Sequence, residues 1–249
     1  MTTPPSSSDP RANRLLARLP PTELALIAPK LEVARFARGE LLYAAGAPVR
    51  RVWFPLDCVV SLTLTLSDGG TAETGAIGRE GMAGSVGALG TGHALADHVV
   101  QLAGSAAGLD AARFGALVAD RPAVRELWLR YNEALLGQVL HAVACNALHT
   151  VPARLARWLL TFQDRCGGSA ALQLTQEFLA QMLGVHRPTV TIVARELQAA
   201  RLIRYQRGTV ELIDRARLEA VACECYHRVR ALYDRPGTEA PARAGALQT

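Results

Sequence analysis

Residues 174–198, LTQEFLAQMLGVHRPTVTIVARELQ, break one helical pattern at a single glycine and restart it within a few residues. Phe178, Leu179, Met182 and Leu183 recur at helical spacing among good helix formers, so residues 177–183 predict a short helix with one buried face. Thr175 can cap its start through a side-chain oxygen, and Leu174 is placed to pack on Leu179 as a hydrophobic staple. Gly184 accepts the left-handed backbone that ends a helix tightly, and Pro188 suits the first turn of the next helix, where its missing N–H is not needed. Two helices joined by a turn of three or four residues follow.

In a twenty-residue window opening at Gln176, Leu179, Ala180, Leu183, Gly184, Val185, Val190 and Val193 fall where a helix-turn-helix needs a small residue at the crossing, a glycine in the turn and apolar locks between helices. The second helix then presents His186, Arg187, Thr189, Thr191 and Arg195 outward. These are cations and donors suited to base edges and phosphates. The plain alternative is a helical hairpin whose exposed residues face water. Downstream, Arg204-Tyr205 and residues 209–213 read as short strands around Gln206-Arg207-Gly208, a hairpin that turns the motif into a winged helix. Arg204 and Arg207 could reach the phosphate backbone, or form a solvated tip. Thr175 and Gln176, opening the first helix, complete the expected DNA-contacting set.

Charge agrees with this placement. Of the net +5, residues 151–235 hold 13 arginines against 8 acidic residues, whereas the remainder carries 14 of each sign. One part of the chain is suited to a polyanion and the other to something else. The start, MTTPPSSSDP, lacks a basic region followed by an apolar run, and residues 134–148 are interrupted by Gln138, His141 and Asn146, so neither a targeting peptide nor a membrane span is expected. A cytoplasmic protein is. Five cysteines without a C-x-x-C pair argue against a disulfide framework. Cys223 and Cys225 lie two apart on an expected helix and would point in opposite directions, so no metal site and no cofactor is expected; packing is the simple role, thiol redox sensing the alternative. No P-loop, dinucleotide motif or nucleophile–base set stands out, and catalysis is not expected.

Between residues 31 and 114, β-rich runs such as RVWFPLD, VVSLTLTL and HVVQLAG are separated by glycine-containing turns, which predicts a small antiparallel barrel or roll. Residues 111–118 and then 123–146 read as helices. The second carries a stripe of Leu127, Tyr131, Leu135, Gln138, Ala142 and Cys145, with Leu136, Val139, Leu140 and Val143 on other faces. A helix apolar on more than one side can lie on its own roll and on an identical helix of a second subunit; the first-named stripe is assigned to that partner, with burial in a single core as the alternative. A further helix is expected over residues 153–164.

Roll, long helix and the LTQEFLAQMLGVHRPTVTIVARELQAARLIRYQRGTVELIDRARLE segment together resemble the Crp/Fnr family of bacterial transcription regulators, over about residues 15–230. The resemblance implies an α+β fold: an N-terminal antiparallel, jelly-roll-like β-roll at residues 15–121, a dimerisation helix at 122–149 and a winged helix-turn-helix at 150–235, with unstructured ends at 1–14 and 236–249. It further implies a homodimer on double-stranded DNA, a recognition helix in the major groove with Arg187 on guanine and Thr189 on phosphate, an unidentified small-molecule effector and, for an activator, RNA polymerase as partner. Arg195, further along the helix, is either a phosphate contact or paired with a neighbour around Glu196. Pro188 and Ile192 depart from the family's usual acidic and basic residues, so its usual half-site is not carried over. Cyclic-nucleotide-binding members end a short cassette in Arg-Ser/Thr-Ala; here Ala94, Leu95 and Ala96 stand near that place without an arginine, which argues against cyclic AMP. Glu80 matches the cassette's ribose-contacting acid, or is an exposed turn glutamate. Cys58 alone in the front half cannot hold an iron-sulfur centre, and His93 and His98 read as surface or turn histidines rather than haem ligands.

Overall fold

The computed structural model describes residues 9–67, 69–165 and 171–234. Order begins earlier than residue 15: Asp9 caps a 3-10 turn at Pro10–Ala12, and Asn13 is fully buried. Its side chain donates to the carbonyls of Pro55 and Gly81 and accepts from the amides of Leu15 and Leu16. A buried amide with every bond made holds the segment to the roll, so the expected unstructured start does not extend through residues 9–14. Residues 1–8, Cys166 and the expected tail at 236–249 lie outside the described residues.

After α1 (Pro21–Ile27), seven strands form two antiparallel sheets. β1 (Glu32–Phe36), β7 (Gly104–Asp110) and β3 (Arg51–Pro55) make one, in that order; β2 (Leu41–Tyr43), β6 (Asp97–Leu102), β4 (Val59–Thr65) and β5 (Thr71–Ile77) make the other. Val52, Phe54, Val60, Ile77 and Leu109 fill the space between them. A short helix, α2 (Ser85–Leu89), stands where the sequence reads only as turns.

Asp110 caps α3 (Ala111–Asp120) by accepting from the Arg113 amide, and α4 (Pro122–Leu148) follows. Its 27 residues make a rod about 40 Å long. α5 (Val151–Arg165) leads through β8 (Ala171–Gln173) into α6 (Gln176–Leu183), α7 (Arg187–Ala199), the hairpin β9 (Ile203–Gln206) and β10 (Thr209–Leu212), then α8 (Arg215–Val221) and α9 (Cys225–Asp234). A second core joins these elements through Leu155, Trp158, Phe162, Leu179, Val190 and Leu218, and it includes Val59 and Ala76 of the roll.

Packing revises the reading of α4. Tyr131, Leu135, Gln138 and Cys145, assigned to a partner subunit, are buried against their own chain, and Leu127 and Ala142 are half-buried. Tyr131 Oη donates to the Met82 carbonyl at 2.7 Å and Gln138 Nε2 to that of Ala76 at 3.0 Å. The face left open carries Leu129, Leu136, Leu140 and Val143. The roll and α9 share the stripe expected to face a second copy: the roll takes Tyr131 and Gln138 through Met82 and Ala76, and α9 docks along α4 with Leu232 beside Gly137.

Glu80 is likewise no exposed turn residue. Its carboxylate meets Arg165 Nε at 2.8 Å, with both side chains at most 9% exposed. Arg165 also donates to Gln138 Oε1, and Tyr233 Oη reaches the same oxygen at 3.4 Å. Roll, long helix, α5 and α9 thus share one buried polar knot. His98 is buried rather than superficial: Nδ1 lies 2.9 Å from the Ala96 carbonyl, its ring stands edge-on to Tyr43, and burial pulls its pKa down towards the neutral form. His93 is exposed. Finally, α8 stops at Val221 and α9 starts at Cys225, so Cys223 sits in the break and the two cysteines do not share one continuous helix.

Candidate nucleic-acid interface

The first helix of the motif begins as its sequence dictates, with Thr175 Oγ1 accepting from the Phe178 amide at 3.2 Å. It ends at Gly184, whose φ of 60° is the left-handed region where a Cβ is penalised. His186 precedes α7, and Pro188 occupies its first turn. Val190, Val193, Ala194 and Leu197 are buried against α5 and α6, which fixes the opposite side of α7 towards solvent. His186, Arg187, Ile192 and Arg195 are exposed there, and Thr189 is half-buried. Among the described residues Arg195 makes no ion pair.

Two of the expected contacts face each other instead. Thr191 Oγ1 donates to Gln176 Oε1 at 3.0 Å and also lies 3.2 Å from the Arg187 carbonyl. This pair ties α7 to α6 rather than offering two free groups. A bond between side chains fifteen residues apart has no local signature, which is why outward periodicity alone assigned Thr191 to the ligand side.

The hairpin adds the wing. Arg207 and Gly208 both have positive φ, 49° and 78°, the backbone of a tight two-residue hairpin turn. Arginine there is unusual and costs about 1 to 2 kcal/mol of backbone strain, in exchange for projecting a cation from the tip. Arg204 is less available: it meets Glu211 at 2.8 Å across the hairpin, directly opposite in register. β8 pairs with the other side of β10, a third strand that the sequence reading missed because three residues carry too little alternation. Tyr205 locks the wing to the motif, with Oη donating to the Leu174 carbonyl and its amide to Gln198 Oε1, both at 2.9 Å.

Thr175, Gln176, Arg187, Tyr205, Arg207 and Gly208 therefore line one cleft of about 380 Å³ between α6, α7 and the wing. Burial raises the Tyr205 phenol above its ordinary pKa, and the charges of Arg187 and Arg38 oppose that rise. Cations thus converge where the α6 N-terminus adds its own partial positive charge. Arg38, from the turn between β1 and β2, lies over the Phe178 ring at 5.5 Å, so the roll touches the motif's first helix without covering the exposed side of α7. In the roll, Ala94 and Ala96 are buried while Leu95 is 68% exposed.

Residues 153–221 match the family model for the Crp-like helix-turn-helix domain. The CRP-like cAMP-activated global transcriptional regulator of Mycobacterium tuberculosis is 26% identical over 204 residues, 80% of this chain and 91% of that protein. Among solved structures, FixK2 from Bradyrhizobium japonicum superposes with a TM-score of 0.65 at 18% identity, covering 78% of this chain and 98% of that one. A CRP-family transcriptional regulator from Thermus thermophilus gives 0.63 at 22% identity, covering 76% and 96%. The Mycobacterium tuberculosis and Thermus thermophilus proteins are both described as transcriptional regulators. Residues 153–221 thus form a Crp-like helix-turn-helix domain, and the β-roll and long helix in front of it share the fold of FixK2 and of the Thermus thermophilus CRP-family protein.

Proposed function

We propose that the chain is a homodimeric, sequence-specific DNA-binding regulator that acts in the cytoplasm on a pseudo-palindromic operator. The observation that carries the reading is the orientation of α7: its valines are buried in the scaffold while His186, Arg187 and Arg195 stand in solvent. In this reading Arg187 forks onto a guanine edge, and Thr189, Arg195 and Arg207 take phosphates, with Thr175 and Gln176 opening the same cleft. Arg204 and Thr191 act through position, being paired with Glu211 and Gln176. The open apolar face of Leu129, Leu136, Leu140 and Val143 joins the two copies. Two-fold symmetry then sets the recognition helices about 34 Å apart, one turn of duplex. For an activator, RNA polymerase is the further partner. Among the described residues, no helix is long and apolar enough to cross a membrane.

Selection of bound sequences from a random duplex pool with the full-length protein tests the reading. Enrichment of an inverted repeat with half-sites one helical turn apart is the expected result; recovery of no sequence preference at fixed salt refutes it.

A ligand-conditional version is favoured by one relative, which is described as cAMP-activated. A cleft of about 740 Å³ beside α4, lined by Arg18, Glu80, Arg130, Tyr131 and Tyr233, offers room for an effector. Against a cyclic nucleotide in the usual place stand Ala94, Leu95 and Ala96, which bring no cation to a phosphate. Calorimetry with cyclic AMP and cyclic GMP is expected to show no stoichiometric heat, and saturable heat at one site per chain refutes that expectation.

A further inference from the structure

Four side chains that no DNA-binding role uses converge where α4 gives way to α5. Cys145 comes from the last turn of α4, His149 from the α4–α5 link, Cys223 from the α8–α9 break and Cys225 from the first residue of α9. Their ligand atoms all lie within 4.8 Å of one another. Cys145 Sγ is 3.5 Å from Cys223 Sγ, and Cys225 Sγ is 3.7 Å from His149 Nδ1. A zinc ion held tetrahedrally at the usual Zn–S and Zn–N lengths sets its ligand atoms about 3.3 to 3.8 Å apart. The two measured edges fall in that range.

The geometry points to a Cys3His site for one divalent, thiophilic metal ion, zinc by chemistry, formed by Cys145, His149, Cys223 and Cys225. Three thiols and an imidazole match the ligands that select zinc over harder cations. A second observation fixes the imidazole. His149 Nε2 faces Glu224 Oε2 at 3.1 Å, so Nε2 carries the proton donated to that carboxylate and Nδ1 is left as the lone-pair donor facing the sulfurs. Arg157 acts electrostatically on all three thiols, and a zinc ion with three thiolates leaves one net negative charge for such a cation to balance. The cysteines are at most 6% exposed, and Ala153 completes their shell. An iron-sulfur cluster divides its cysteines among several irons and needs a wider cage than four atoms within 4.8 Å.

Placed there, the ion ties the end of the long helix to the link before α5 and to the start of α9. It therefore constrains the joint between the dimer rod and the DNA-binding part. Sequence spacing alone disfavoured it, because Cys223 and Cys225 read as one helix; the break at residues 222–224 is what turns both sulfurs the same way.

The test is metal analysis of the full-length protein purified without chelators, followed by cobalt substitution. The expected results are about one zinc per chain, cobalt spectra with thiolate charge-transfer and tetrahedral d–d bands, and three thiols that react with a disulfide reagent only after chelation. C145S and C223S should each abolish stoichiometric binding. Because either variant could misfold, E224Q serves as the milder probe, expected to weaken zinc by about 10- to 100-fold while circular dichroism is unchanged. Metal below trace level with no cobalt bands on titration overturns the site, as do undiminished bands in C145S and C223S, acid-labile sulfide, or a Cys145–Cys223 disulfide in freshly purified protein. Metal retention is read without DNA, so its failure and a failure of operator binding are separable.

Discussion

Removal of one partner from the Glu80–Arg165 pair tests how the roll is joined to the helix-turn-helix part. Arg165 is 7% and Glu80 9% exposed on their side chains, and the guanidinium shares Gln138 Oε1 with Tyr233 Oη. E80A takes away the carboxylate that directly pairs with this arginine and leaves its charge bonded to a neutral amide, with Glu73 acting on it without a direct bond. For a buried pair so broken the cost is about 3 to 5 kcal/mol, and for a chain of this size each kcal/mol moves the melting midpoint by about 2 to 4 °C. A fall of roughly 6 to 20 °C follows from the same figures. Urea denaturation at one fixed protein concentration, with E80A, R165M and the double variant, measures the free-energy loss, and thermal melts of the same proteins measure the midpoint. Removing both charges should cost less than the sum of the two single losses, since no unpaired ion is then left in the core. Loss below about 1 kcal/mol for E80A, or strict additivity in the cycle, would show that the pair behaves like a surface contact and that the knot does not join the two parts.

Three further outcomes follow from the same structure. R187A should lose about 1 to 3 kcal/mol of specific binding and relax preference at one base pair in each half-site; an unchanged titration and base profile at fixed salt discards its role. Introducing charge on the open face of α4 with L136E/L140E should convert a dimer to monomer by sedimentation while leaving the circular dichroism intact, whereas the inward Q138A should destabilise the fold instead. Burial lifts the Glu73 carboxyl to about 7 against bonds from Ser61 and Trp158 and the charge of Arg165. Between its unfolded value near 4.5 and about 7 the native state holds the extra proton, so this group's stability is present on the acid side and is lost as pH rises through about 7. The loss is at most about 3 kcal/mol, and less because the residue retains some surface. E73Q should flatten that part of the stability–pH curve, and a curve parallel to wild type would refute the assignment.

The unevenness of what could be read beforehand has a physical pattern. The helix-turn-helix was legible because each signal acts over a few residues: Thr175 caps Phe178 three positions on, Gly184 takes positive φ by itself, and Val190, Val193 and Leu197 share a helical face by period alone. The strands of the roll were legible for the same reason, though α2 and β8 were too short to register. Of the candidate interface, the exposure of His186, Arg187 and Arg195 matched the reading, while the internal pairing of Thr191 with Gln176 and of Arg204 with Glu211 did not.

Sequence by itself determined where helices start and stop, which residues point away from the motif's core, and that α4 is apolar on several faces. Tertiary structure alone decided which face of α4 is covered, that Glu80 meets an arginine 85 positions away, and that Cys145 lies against Cys223 across 78. Caps, turns and periodicity are short-range and leave their mark in neighbouring letters. The choice among apolar faces, and the partner of a buried charge or thiol, is made only when distant elements compete for the same volume.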